Sequence, residues 1–167
     1  MIKPIVRDAF FLNQKSEKAT KSDISIVQDM EDTLRANRER CVGMAANMIG
    51  YRKRIIIVAT GFADIIMINP VITEKSEAYE TEEGCLSLPG VRKTIRYKRI
   101  TVRYLDKAFA EHTQAFSGYI AQIIQHECDH LEGRLYIDRA DTVYVSTAWE
   151  AERRAYDYSK PDWWPLQ

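Results

Sequence analysis

Late in the chain, His126-Glu127-Cys128-Asp129-His130 sets two histidines four positions apart, with a glutamate directly after the first. Residues at that spacing lie one above the other on a single helix face, so both imidazoles can reach one metal ion. The glutamate falls about 100° away around the helix, off the metal yet beside the water that would attack a substrate. Ile120, Ile123, Ile124 and Leu131 make an apolar stripe through the same stretch; Ser117 suits its N-cap, and Gly133 the position just past its end. The pattern predicts a helix over 117–131, around which the rest of the chain must be built. A plainer reading, two histidines that happen to flank an acid on an ordinary helix, leaves the further signals below unexplained.

Strand patterns crowd the stretch upstream. Arg54 to Ala59 is continuous and β-branched, Ile65 to Ile68 is a second short run stopped by Asn69-Pro70, and Val71 to Tyr79 reads as extended. Ile100, Val102 and Tyr104 alternate with charged residues, which predicts a half-buried strand, and a turn at Asp106 to Ala108 opens a further hairpin strand. Before them, Ile24, Val27, Met30 and Leu34 recur at helical spacing from Ser22 to about Arg40, with Thr20 or Ser22 as cap. A further helix is expected through Ala148 to Tyr156. This order implies an α+β fold, mostly antiparallel sheets around the helix that carries the histidines, flanked by an N-terminal and a C-terminal helix. The expected division is one domain over 1–138 and an extension over 139–167 packed on it or trailing from it.

Bulk composition narrows the function classes. In 167 residues, Lys plus Arg and Asp plus Glu number 24 each, which argues against a polyanion-binding surface and leaves no evident nucleic-acid site. The basic cluster Arg92, Lys93, Arg96, Lys98, Arg99 and Arg103 reads as the solvated face of a strand. Met1 to Asp8 lacks the apolar run of a signal peptide and no stretch is long enough to span a membrane, so the expected compartment is the cytoplasm. The odd cysteine count, Cys41, Cys85 and Cys128, argues against a disulfide framework and leaves burial or metal ligation.

A catalytic metal needs a third protein ligand and an open position. His112 lies in an expected hairpin loop, Glu150 and Glu152 lie at the distance used by thermolysin-like peptidases, and Cys128 is rotated away from the face the histidines share. Cys85 remains, within the turn-rich Glu82-Glu-Gly-Cys-Leu-Ser-Leu-Pro-Gly90, and is the favoured candidate.

Glu83-Gly-Cys-Leu-Ser87 and Gln125-His-Glu-Cys-Asp-His-Leu-Glu-Gly133 resemble two signature motifs of peptide deformylases, and Cys41-Val-Gly-Met-Ala-Ala-Asn-Met48 is similar to a third. The resemblance runs from about Ile5 to Asp138. It implies removal of the formyl group from the N-terminal formyl-methionine of new proteins, with release of formate. It also implies one divalent metal, natively Fe(II) and replaceable by Zn(II), Ni(II) or Co(II), on Cys85, His126 and His130, with Glu127 as general base and acid. The Leu86 backbone N–H would stabilise the oxyanion, and the peptide would pair as a strand with Val42, Gly43 and Gly84. The implied substrates are formyl-methionyl peptides and nascent chains; ribosome proximity and a monomeric state are further expectations. Two positions depart from the first motif: Cys41 replaces a glycine, and Met48 replaces a glutamine whose amide donates toward the reacting oxygen, which a thioether cannot do. The alternative this opens is a divergent relative that keeps the metal but has weak activity, another N-acyl substrate or a non-catalytic binding role.

Overall fold

The computed structural model describes residues 1–84 and 91–133. Five strands form one antiparallel sheet in chain order: β1 (Gly43–Ala45), β2 (Ile55–Ala59), β3 (Asp64–Gly84), β4 (Val91–Leu105) and β5 (Glu111–Ser117). The described helices are α1 (Ala9–Leu12), α2 (Ser25–Ala36) and α3 (Gly118–Leu131). Both α2 and α3 pack on β2, which explains why Ile55 to Val58 is a continuous apolar run: every one of its side chains is buried. On β4 the expected alternation holds, with Ile100, Val102 and Tyr104 in the core and Arg103 exposed between them.

Asn69-Pro70 does not stop the strand. The register slips between Ile68 and Val71, and Asn69 takes a left-handed φ of 52°, so β3 bends at a bulge and continues. Asparagine tolerates that conformation, and its side chain fixes it: Oδ1 accepts from the Ala19 N–H at 2.8 Å and Nδ2 donates to the Ala19 carbonyl at 2.9 Å. The expected helix from Ser22 also begins later. Lys21–Asp23 forms a 3₁₀ turn, and the Thr20 N–H donates to the Asp23 carboxylate at 2.8 Å, leaving Ile24 exposed and Ile26 buried in its stead.

No described helix is long and apolar enough to cross a membrane. The expected C-terminal helix, the extension over 139–167 and the segment from Cys85 to Gly90 lie outside the described residues.

Candidate metal centre

On α3, His126, Glu127 and His130 are each almost wholly buried, and one ligand atom from each lies within 4.8 Å of the other two. Among the described residues no other group of histidine, cysteine and carboxylate side chains converges in this way. The imidazoles meet edge to face with centroids 5.1 Å apart.

Their setting is built by three other segments. Glu83, at the end of β3 and fully buried, accepts from Arg96 Nε at 2.7 Å and Nη2 at 2.6 Å, and lies 2.8 Å from His126 Nδ1. Burial alone would raise the Glu83 pKa, but the Arg96 charge and hydrogen bonds and the His126 contact outweigh it, holding the carboxyl far below its ordinary range. An ionised carboxylate only accepts, so the hydrogen sits on His126 Nδ1 and Nε2 carries the ring's lone pair, the tautomer that can ligate a metal. This geometry fits a metal on the histidine pair.

Arg96 also reaches α3 itself, with Nη1 donating to Asp129 Oδ2 at 2.8 Å. Burial opposes its charge, yet Glu83 and Asp129 keep it protonated, with its pKa above the ordinary arginine value. The expectation that this residue belongs to a solvated face is therefore corrected: Arg96 is 2% exposed, while its neighbour Ile95 faces outward at 41%. Glu83, fully buried, and Asp129, partly buried, both reach for a cation, and the strand turns its arginine inward to supply it. Gln125 adds a clamp of its own. Its Oε1 accepts from the Tyr97 N–H at 2.9 Å and its Nε2 donates to the Tyr97 carbonyl at 2.8 Å, tying α3 to β4.

From the other side β1 presses on α3 through Gly43. A Cβ there would lie 2.5 Å from Ile123 Cγ2 and 3.0 Å from Glu127 Oε2, so only glycine fits. Gly43→Ala is expected to lower folding stability by about 1–3 kcal/mol through overpacking, read as a lower denaturant midpoint. An unchanged midpoint would show that the contact yields freely.

The remaining candidates divide plainly. Val42 is half-buried and accepts at its carbonyl from the Ala59 N–H at 2.9 Å, and Gly84 pairs with Val91. Met48 is buried, and its Sδ accepts from the Ala45 N–H at 3.4 Å. Asn47, next to it, does not supply the amide in its place: Nδ2 donates to the His130 carbonyl at 3.0 Å. Cys128 packs against the core, and burial above all pushes its thiol up to about 12. His112 belongs to β5 rather than a loop, 2.7 Å from Asp106 Oδ2 and stacked on Tyr104, apart from the centre. Cys85, Leu86, Glu150 and Glu152 lie outside the described residues. Sequence reasoning missed the work of Glu83, Arg96 and Gln125. The signal for the first two was the pair of acids, Glu83 and Asp129, beside the candidate ligands.

An antiparallel sheet folded against a helix that buries two histidines and a glutamate within bonding reach of one point defines a metal-dependent hydrolase. The family model for polypeptide deformylase matches residues 2–145. The chain belongs to the peptide deformylase family. It is 60% identical over 133 residues to a peptide deformylase of Clostridium beijerinckii, covering 80% of this chain and 98% of that one. With a peptide deformylase of Carboxydothermus hydrogenoformans the identity is 39%, over 76% of this chain and 83% of that one. Among solved structures, the Met-Ala-Ser-bound class I type b peptide deformylase of Acinetobacter baumannii aligns with a TM-score of 0.77 at 29% identity, over 83% of this chain and 99% of that one. The peptide deformylase of Thermotoga maritima aligns with a TM-score of 0.77 at 31% identity, over 83% of this chain and 97% of that one.

Proposed function

We propose that the chain hydrolyses the formyl amide of N-terminal formyl-methionine, releasing formate and a free amino terminus. The convergence of His126, Glu127 and His130 on one buried face, with Glu83 fixing the His126 tautomer, carries this reading. His126, His130 and Cys85 would hold the divalent ion, with Fe(II) native and Zn(II), Ni(II) or Co(II) as substitutes. Bound there, the ion supplies the Lewis acidity that makes water a nucleophile near neutral pH.

The chain's own residues carry the protons. Glu127, held against Gly43 and outside the histidine pair, accepts a proton as water oxygen bonds to the formyl carbon. It returns that proton to the amide nitrogen as the C–N bond breaks, so the amine leaves neutral. The Leu86 backbone N–H would donate to the oxygen that gains charge at the formyl carbon. Met48 donates nothing and serves as packing. Substrates on this reading are formyl-methionyl peptides and nascent chains at the ribosome, met in the cytoplasm by a monomer over residues 1–138, with 139–167 as an appended extension.

The test is formate release from a formyl-methionyl tripeptide by anaerobically prepared, Fe(II)-loaded protein, beside its Met48→Gln variant. The two are expected to turn over at comparable rates. Formate from the variant alone, or from neither despite bound metal, overturns the reading.

A further inference from the structure

One buried amide beside the centre serves neither the candidate ligands nor the proton transfers. Gln122 sits one turn before His126 on α3, and His126 one turn before His130, so the three share one stripe of the helix. The Gln122 side chain is almost wholly buried, and its Oε1 accepts from the Tyr79 hydroxyl at 3.3 Å. Its Nε2 has no hydrogen-bond partner among the described residues. The surroundings hold the amide in place: Tyr79 faces Arg96 across the β3–β4 ladder, and Arg96 binds the acid that pairs with His126. Burying a donor without an acceptor is unfavourable, and one placed a turn from a reacting centre calls for an acceptor that arrives with the substrate.

The first side chain of a formylated peptide leaves the carbon bonded to the scissile nitrogen, and along α3 it has one way to run. Toward the C-terminal end of the helix, Asn47, Met48 and Leu131 are buried, and Asn47 is bonded to the His130 carbonyl. On the sheet side of His126, Glu83, Arg96 and Asp129 are engaged with one another. Toward the N-terminal end, the next side chains are Ile123, close against Gly43, and Gln122. An extended methionine side chain spans about 5.4 Å, one helical turn, so its sulfur comes level with Gln122.

We infer that Gln122 determines specificity by donating from Nε2 to the heteroatom of the first side chain, and that the chain therefore also deformylates peptides that begin with methionine sulfoxide; the inference rests on the function proposed above. The oxidised residue is the form in which that side chain carries a strong acceptor. A thioether sulfur accepts weakly, and the corresponding methylene of norleucine accepts nothing. Walls made only of apolar groups would reject the sulfoxide, because its oxygen would be buried unpaired. With the Gln122 amide in place, that oxygen exchanges its bond to water for one to the protein. The reaction itself is unaltered: water adds at the formyl carbon, the C–N bond breaks, and the sulfoxide leaves intact on the free amine.

The experiment measures kcat/KM of the Fe(II)-loaded protein for formyl-Met-Ala-Ser and for each separated epimer of its sulfoxide. With the natural protein, the better epimer should fall within about tenfold of the methionine peptide. Gln122→Leu and Gln122→Met keep the bulk and remove the donor, and each should lower the sulfoxide-to-methionine ratio by at least about tenfold. Each ratio is taken within one protein, so differences in folding or metal content cancel. A natural protein that discriminates more strongly than this against both epimers, or a smaller shift in both variants, overturns the inference and leaves the deformylase reading standing. If the methionine peptide itself releases no formate, that reading fails and the inference falls with it.

Discussion

Glu127→Gln is expected to retain its metal in full while formate release falls about a thousandfold. Glutamine has nearly the same shape as glutamate, so its contacts with Gly43 persist and His126 and His130 keep their places. What disappears is the basic carboxylate that takes a proton from water and hands it to the departing amine. Elemental analysis of the purified variant and a formate assay at saturating peptide separate the two effects. Turnover within a few-fold of the natural protein would remove Glu127 from the chemistry. Loss of metal together with loss of turnover would instead make it a ligand.

Arg96→Leu should cost about 3–5 kcal/mol of folding stability, because it leaves the Glu83 carboxylate buried with its cation gone and strips Asp129 of the same partner. Glu83 and Arg96 are 0% and 2% exposed, so solvent cannot take over the role. Urea unfolding of the metal-free protein measures the loss. Joining Arg96→Leu to Glu83→Gln should recover much of it, since no unpaired buried charge then remains beside the histidine. A single variant that unfolds within about 1 kcal/mol of the natural protein, or a double variant no better than the single, would show that the buried Glu83–Arg96 pair does not carry this stability.

The helix of the two histidines was legible because its signals are local: a spacing, an apolar stripe and a glycine at its end. β2 and the inner face of β4 were legible for the same reason. The turn of Arg96 into the core was not, because it depends on two acids, one 13 residues before it and one 33 residues after, that meet only in the folded chain. Asn69-Pro70 misled by a similar route. Both residues break strands by local preference, but the asparagine amide binds the backbone of Ala19, 50 positions away, and that distant partner makes a bulge affordable where propensity alone predicts an end. Asn47 shows the limit within the centre itself. Its amide lies one position from the missing glutamine, and a partner 83 residues away decides its role, for it donates to the carbonyl of His130.

The pairing of Glu83 with His126 spans 43 residues, which sets an order of events during synthesis. A growing chain presents the β3–β4 hairpin first, with Glu83 and Arg96 already able to find each other across 13 positions. The histidines emerge later, and His126 then meets that prepared acid, which fixes its ring. With a metal on the histidine pair, as proposed, capture of the ion would be a closing act of folding, coupled to the docking of α3 on the sheet.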